Sequence, residues 1–309
     1  MKALIVGPGN VGQELSKVLT NHGSEHEFFA KHNDLDSFTR SVQPVDIVFV
    51  TISTKDKGEA ELSYLMRCIE LGRPVVTCAK GALAWHFETL KPHLGTIGFT
   101  TTVGGGSEIL PLAVGNASDP ITNLRAIQNG TVNFLCWGLQ GGMEDEASVL
   151  TEAQRRKLPE PGAIGLKKIF DSESRDMWMK ASITYNMTGL NGTVSPDNFN
   201  VSLMEEGVIR NLLRKPGNRF ALEIREEPKF SFFSDEPFSL RRGSWHVLGS
   251  FVQDAHNVFP GLSIHEESNA IIVERRLSGT NKKSGLGAGS KPTAETMFFV
   301  DAKRLLKAD

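Results

Sequence analysis

MKALIVGPGNVG, residues 1–12, is a short apolar run followed by the pattern GxGxxG. The run predicts a β-strand, and apolar residues at helical spacing from Val11 to Leu19 predict a helix directly after the glycines. Glycines are needed in such a turn because it is tight, because its backbone approaches a pyrophosphate, and because the helix packs close to the strand. The first turn of the helix also offers free N–H groups to an anion. The stretch therefore predicts a Rossmann-type dinucleotide site, built on Gly7, Gly9, Asn10, Val11 and Gly12.

Strands and helices alternate through the first hundred residues. Further strands are predicted at residues 27–30, 46–52, 74–77 and 97–101, and a further helix at residues 60–71. The near-continuous apolar run DIVFVTI at 46–52 is typical of a strand that is covered on both faces. This alternation predicts βαβ units and a parallel sheet.

The pattern changes after about residue 112. Apolar and polar residues alternate at 121–127 and 219–225, which predicts an antiparallel sheet, with helices at 146–157 and 174–187 and an irregular loop at 159–170. We therefore predict an α/β protein with an N-terminal Rossmann-type, doubly wound parallel sheet and a second α+β domain. The first domain spans residues 1–112, and the second spans residues 113–287.

The choice of dinucleotide depends on the end of the predicted second strand, which reads Ala30-Lys31-His32-Asn33-Asp34. An acidic residue in this region binds the ribose of NAD, whereas a basic one accommodates the 2′-phosphate of NADP. Lys31 and His32 favour NADP, unless both are solvated surface residues, and Asp34 keeps NAD as the alternative.

Composition excludes several classes of protein. The chain has 309 residues, of which 39% are hydrophobic, and a formal net charge of −2, so neither nucleic acid nor an anionic membrane is an expected partner. The sequence shows no apolar run of ~20 residues that would span a membrane and no signal peptide. Its three cysteines form no CxxC or Cys/His cluster, which predicts a cytoplasmic protein without structural zinc.

Six further segments stand out along the chain: VVTCAKGALA (75–84), VGGG (103–106) with Ile109 and Pro111 after it, NGTVNF (129–134), EAQ (152–154), DSESRD (171–176) with Lys180 after it, and GAG (287–289) with PTA (292–294) after it. Together they resemble segments of the homoserine dehydrogenase family and follow the family's order. One such match would mean little, but six in order indicate membership in the family or in a close branch. Because the sequence ends with the last predicted helix, at about 293–306, we expect no C-terminal regulatory domain.

The resemblance implies reversible hydride transfer between NAD(P)H and L-aspartate 4-semialdehyde, which gives L-homoserine. It implies that Lys180 donates a proton to the forming alkoxide, with Asp176 on the same helix face and Lys80 as a second cation near the substrate. Substrate-binding candidates are Glu160, Asp171, Thr131 and Gly130, and further cofactor-binding candidates are Thr77, Lys80, Gly104, Gly289 and Thr293. It also implies that the second domain binds substrate and forms the dimer interface, and that a C-terminal helix within 288–309 completes the first domain. We predict a homodimer because the exposed strands of the second domain would otherwise form an unprotected edge.

The spacing of Asp176 and Lys180 also fits a plain surface ion pair, worth about 0.3–0.5 kcal/mol. Spacing alone favours that interpretation, and only the matching segment around the pair favours catalysis.

Four departures from the family pattern leave the substrate open. Ala79 replaces an asparagine, KLPE at 157–160 lacks the tyrosine of the family's GYxE, and the stretch from Glu160 to Asp171 is longer and contains GAIG. Thr100 replaces a glutamate near a monovalent-cation site of some members, so we predict no metal. The alternatives are a related dehydrogenase of another small amino alcohol, aldehyde or amino acid, and a non-catalytic nucleotide-binding homologue.

Overall fold

The computed structural model describes residues 1–30, 34–159, 162–202, 204–226, 238–287 and 289–307. The chain divides into two compact units, Met1–Glu108 together with Ser290–Asp309, and Ile109–Gly289.

The first unit contains a parallel sheet, as the alternating pattern predicted. Its strands within the described residues are β1 (Lys2–Val6), β2 (Glu25–Phe29), β3 (Ile47–Val50), β4 (Val75–Thr77) and β5 (Ile97–Gly98), arranged in the order β2-β1-β3-β4-β5. The helices that alternate with them are α1 (Asn10–Asn21), α2 (Leu35–Val42), α3 (Glu59–Glu70), α4 (Gly81–Trp85) and α5 (Phe87–Leu90). All four residues of β3 are buried, as expected for a strand covered on both faces. The strand order reverses between β1 and β3, which is where open α/β sheets bind ligands.

The second unit contains an antiparallel sheet, which confirms the α+β prediction. In the described residues its strands are β6 (Ile121–Ile127), β7 (Asn200–Val201), β8 (Arg219–Glu226), β9 (Phe238–Arg242), β10 (Trp245–Val252), β11 (Ser268–Arg275) and β12 (Gly279–Leu286), in the order β12-β11-β6-β8-β10-β9-β7. Its helices are α6 (Leu110–Ala113), α7 (Gly130–Trp137), α8 (Glu146–Arg155), α9 (Leu166–Met187), α10 (Glu206–Arg214) and α11 (Ala255–Val258). Phe170 of α9 stacks on Phe251 of β10 with ring centroids 5.9 Å apart, so α9 packs on one face of the sheet.

The start of α9 corrects the prediction of an irregular loop up to residue 170 and of a helix only from residue 174. The helix begins at Leu166, after Gly165 in the left-handed region at φ +85°. Leu166, Ile169 and Phe170 are buried at helical spacing, and their burial stabilises two extra turns. Glycines at 162 and 165 hid this periodicity in the sequence.

The C-terminal segment belongs to the first unit. It comprises α12 (Ser290–Thr296), a π-helical stretch (Met297–Ala302) and α13 (Lys303–Leu306). Ala294, Met297 and Leu305 are buried in one core with Ile5 of β1 and Leu15 of α1. The carboxylate of Asp301, also buried, accepts hydrogen bonds from the backbone N–H and the hydroxyl of Thr100, at 3.0 and 2.7 Å. The segment therefore packs on the parallel sheet in the same core as α1 and is bonded to the residues that follow β5. In the parts of the chain described, no helix has the length and apolar character needed to span a membrane.

Candidate functional site

The glycine turn after β1 packs tightly against α1 and the residue after β3, in line with the tight turn expected from the sequence. Gly7 has φ +107°, and a Cβ placed on Gly12 would lie 2.2 Å from the carbonyl oxygen of Gly7. The hydroxyl of Thr51, directly after β3, donates to the carbonyls of Gly7 and Val6, at 2.7 and 3.1 Å. Only glycine permits α1 to pack this tightly against the turn.

The N-terminus of α1 is open on the side that would face an anion. Its N-cap, Gly9, supplies no side-chain cap, the first turn holds no acidic residue, and a Cβ on Gly9 would meet nothing within 4 Å. Asn10 and Val11 form the start of this turn, with Asn10 exposed. A cavity of about 740 Å³ opens here, lined by residues of the turn, of the β3–α3 connection and of α3. Free N–H groups at a helix N-terminus beside such a cavity fit the pyrophosphate of a dinucleotide.

The other cofactor candidates take varied places. Thr77 ends β4, and its buried hydroxyl accepts from the N–H of Ala79 at 3.0 Å. Gly104, at φ +89°, opens a 3₁₀ turn, and Thr293 is buried in α12. Gly289, at φ +111°, ends the second unit immediately before α12.

The residues proposed to distinguish NADP from NAD follow β2 in the sequence. Lys31 and His32 lie outside the described residues. Asp34, the residue that kept NAD open, caps α2, and its carboxylate accepts from the N–H of Ser37 at 2.9 Å.

Lys180 and Asp176 form a buried ion pair on α9. The Nζ of Lys180 lies 2.6 Å from Oδ2 of Asp176, and the two side chains are each 10% exposed. Lys180 also donates to the backbone carbonyl of Gln128, at 2.8 Å. Burial excludes the alternative of a plain surface ion pair, since a charge is removed from water at a cost that only a specific set of partners offsets.

Asn129 connects this pair to a second carboxylate. Its Nδ2 donates to Oε2 of Glu173 at 2.7 Å and to Oδ2 of Asp176 at 3.1 Å. Its Oδ1 accepts from the N–H of Val132 at 2.8 Å and so caps α7. One amide thus fixes two buried acids and the helix that follows β6.

Sequence reasoning missed three members of this cluster: Gln128, Asn129 and Glu173. Glu173, Asp176 and Lys180 stand at positions i, i+3 and i+7 of one helix, so the shared face was visible once the helix was taken back past residue 174. Asn129 lay in a matching segment, and an asparagine directly before an apolar run is a helix N-cap signal that could have singled it out.

The remaining substrate candidates do not all join the cluster. Gly130 and Thr131 begin α7 and are buried, and the hydroxyl of Thr131 donates to the carbonyl of Leu158 at 3.0 Å. Glu160 lies outside the described residues. Asp171 is exposed and pairs with Lys167 at 2.7 Å. Because Asp171 is five residues before Asp176, it is on another face of α9, and Glu173 is the acid beside Asp176 instead.

The second unit carries the match that decides the family. A family model described as homoserine dehydrogenase matches residues 109–299, more than half of the chain. The chain belongs to the homoserine dehydrogenase family. The Lys180–Asp176 pair and Asn129 all lie within the matched residues.

Individual homoserine dehydrogenases agree with this assignment. The chain is 26% identical over 267 residues to that of Lactococcus lactis, a match covering 85% of this chain and 58% of the relative. The structure of a homoserine dehydrogenase from Thiobacillus denitrificans has a TM-score of 0.69 at 21% identity, and the match covers 100% of this chain and 74% of that one. A hyperthermophilic archaeal homoserine dehydrogenase in complex with NADPH has a TM-score of 0.64 at 17% identity, covering 99% and 98% of the two chains. The two structures show the fold.

The chain spans about three fifths of the length of the curated homoserine dehydrogenases it matches, 58% of one and 61% of another. In the described part of the chain, no group of three or more His, Cys, Asp or Glu side chains is placed to hold a metal ion.

Asn129→Asp should destabilise the second unit while leaving the cap of α7 in place. The new carboxylate still accepts from Val132, but it no longer donates to Glu173 and Asp176 and instead repels both. We expect the free energy of unfolding, measured with urea, to fall by about 3 kcal/mol or more. The matched control is Asn116→Asp on the exposed surface of the same unit, where the oxygen that accepts from Ser118 is kept. Equal stability of the two variants would contradict the assignment of the Asn129 amide.

Proposed function

We propose that this protein interconverts L-homoserine and L-aspartate 4-semialdehyde with NAD(P) as the hydride carrier. The observation that carries the proposal is the buried Lys180–Asp176 pair, held by Gln128 and Asn129 within the residues that match the family. Family membership supports the reaction type, and the glycine turn with its adjoining cavity supports dinucleotide binding.

Lys180 would supply the proton. The cofactor, when bound, accepts or donates the hydride. In the direction of aldehyde reduction, the ammonium of Lys180 donates a proton to the carbonyl oxygen as it becomes a hydroxyl, and in alcohol oxidation the amine takes that proton back. An ammonium has three N–H groups, and bonds to Asp176 and to the Gln128 carbonyl use two of them. The third N–H is the one we assign to the substrate oxygen.

The buried acids would orient Lys180 and attract an amino-acid substrate. Asp176 holds the ammonium of Lys180, and Asn129 holds Asp176 and Glu173 in turn. Glu173 therefore replaces Asp171 as our candidate for interaction with the substrate's own ammonium group. Gly130 and Thr131 at the start of α7, together with Glu160, remain candidates by resemblance.

For the cofactor we propose NADP, with NAD as the alternative. One structural neighbour was solved with NADPH, and one relative is named an NAD(+)-dependent homoserine dehydrogenase. The residues that would hold the pyrophosphate are Gly7 and Gly9, which line the cavity, and the first turn of α1, which Gly9 precedes.

A second candidate is a dehydrogenase of another small amino alcohol, favoured by Ala79 and by the missing tyrosine in the segment 157–160. The test is NADP- and NAD-linked oxidation of a panel of amino alcohols that includes L-homoserine. Highest kcat/KM for L-homoserine is the expected result, and turnover of another member alone would replace the substrate. Cofactor binding without turnover of any member would contradict the enzyme assignment.

We propose further that the protein is a homodimer of the cytoplasm. β12 lies at one edge of the sheet in the second unit and spans eight residues, an edge that a partner subunit would protect. The three cysteines are all free, which fits a reducing compartment. Sedimentation at micromolar concentration should give a dimer, and a monomer would contradict the first part of the proposal.

A further inference from the structure

Glu61 is a buried acid of α3 that the proposed proton transfer does not use. Glu61 is only 1% exposed. Oε1 accepts from the hydroxyl of Thr54 at 2.5 Å, and Oε2 accepts from the backbone N–H of Ala82 at 2.7 Å. Both carboxylate oxygens are therefore tied to neighbouring segments of the first unit.

These bonds fix the segment that directly follows Lys80. The hydroxyl of Thr54, while donating to Glu61, accepts from the N–H of Gly81 at 3.1 Å. The N–H groups of Gly81 and Ala82, the first two residues of α4, are thus both held by the pair Glu61–Thr54. These groups have no partner inside α4, because the first N–H groups of a helix never do.

Backbone packing leaves this segment no room to shift. Gly58 has φ +85°, and a Cβ placed on it would lie 2.3 Å from the carbonyl carbon of Gly81. A Cβ on Gly81 would lie 2.6 Å from Thr54 and 2.7 Å from the carboxylate of Glu61. The turn before α3 and the start of α4 therefore meet backbone to backbone, with Glu61 at their junction.

The carboxylate of Glu61 lies within electrostatic range of the Lys80 ammonium. Burial raises the pKa of Glu61, while its hydrogen bonds and the attraction of the Lys80 ammonium act in the opposite direction. A neutral acceptor would accept from the Thr54 hydroxyl and the Ala82 N–H at a smaller desolvation cost. The carboxylate adds an attraction for Lys80 that such an acceptor would lack.

We propose that Glu61 is a positioning residue that, with Thr54, sets the place of Lys80 by holding the start of α4. The proposal deepens the proposed function and rests on it, since Lys80 is a substrate-contacting cation only in that reaction. Glu61 also lines the cavity beside the glycine turn, so the residue that positions Lys80 is part of the wall of that cavity.

A double-mutant cycle tests whether Glu61 acts through Lys80. Glu61→Ala should lower kcat/KM for L-homoserine by about tenfold to a hundredfold, the loss expected from a misplaced contact. If that loss comes through Lys80, Glu61→Ala combined with Lys80→Ala should be no worse than Lys80→Ala alone. The matched control is Asp301→Ala, which removes a buried carboxylate that also binds one N–H and one threonine hydroxyl. The fall in kcat/KM caused by Asp301→Ala should multiply with the fall caused by Lys80→Ala.

Amide hydrogen exchange of the cofactor-free protein gives a readout that needs no activity. Exchange in residues 78–84 should be faster than in wild type in Glu61→Ala and in Thr54→Val, and unchanged in Asp301→Ala. Thr54→Val is the milder change and keeps the test valid if Glu61→Ala fails to fold. If the wild type does not oxidise homoserine, the proposed function fails while exchange still decides whether Glu61 holds this segment. The positioning role would be overturned by any one of three results. These are unchanged exchange in both Glu61→Ala and Thr54→Val, a kcat/KM in the double variant that falls by the product of the two single losses, or full activity of Lys80→Ala.

Discussion

Lys180→Ala is expected to lower kcat for homoserine oxidation by about 10² to 10⁴, the usual contribution of a positioned general acid or base. The variant also leaves the buried carboxylate of Asp176 without its cation, so a fall in stability of about 3–5 kcal/mol accompanies the loss. Cofactor affinity should be unchanged, because the glycine turn belongs to the first unit and Lys180 to the second. Steady-state kinetics, urea denaturation and cofactor titration measure the three quantities.

Two further variants separate chemistry from folding. Lys180→Arg keeps a cation beside Asp176, but a guanidinium does not give up its proton at any accessible pH, so we expect a folded and inactive protein. Lys167→Ala removes the exposed lysine that pairs with Asp171 at the same i,i+4 spacing on the same helix, and should be fully active. An active Lys180→Arg, or equal losses in Lys167→Ala and Lys180→Ala, would contradict the assignment of the proton donor.

Gly12→Ala is expected to weaken cofactor binding by about a hundredfold or more. The added Cβ would lie 2.2 Å from the carbonyl oxygen of Gly7, a backbone atom that cannot turn aside, so α1 must move away from the turn. Overpacking of this kind also costs about 1–3 kcal/mol of stability. The dissociation constants for NADP and NAD, measured by titration of the protein's fluorescence, check the expectation.

Two glycines of the same unit serve as comparisons. A Cβ on Gly9 or on Gly95 meets nothing within 4 Å, so both alanine variants should be as stable as the wild type. Gly95→Ala should bind cofactor normally, whereas Gly9→Ala should bind it more weakly, because its methyl group enters the space assigned to the pyrophosphate. Wild-type affinity in Gly12→Ala would show that this turn does not hold the cofactor.

The glycine turn was predictable because every part of its signal is local. A strand, a GxGxxG turn and a helix follow one another within about twenty residues, and the structure has β1, Gly7 at φ +107° and α1 in these places. The Lys180–Asp176 pair was predictable as a pair because i,i+4 residues share a helix face. Its burial was not, since a buried and an exposed pair have the same spacing, as Lys167–Asp171 on the same helix shows.

The parts that escaped prediction depend on contacts between distant residues. Asn129 reaches Glu173 across 44 positions of sequence, and Glu61 reaches Ala82 across 21. No periodicity reports such a contact. The family pattern matches positions in sequence, and it pointed to Asp171 rather than Glu173. Which of these two side chains shares a face with Asp176 follows only when α9 is known to include both, from its start at Leu166.

The most direct test of the catalytic role of Lys180 is the rate at which purified protein reduces NADP or NAD with L-homoserine, compared among wild type, Lys167→Ala and Lys180→Arg. We expect homoserine-dependent turnover in the first two proteins and its loss in the third, with all three folded and binding cofactor. A folded, cofactor-binding wild type without homoserine-dependent turnover, or a Lys180→Arg variant as active as wild type, would contradict that role.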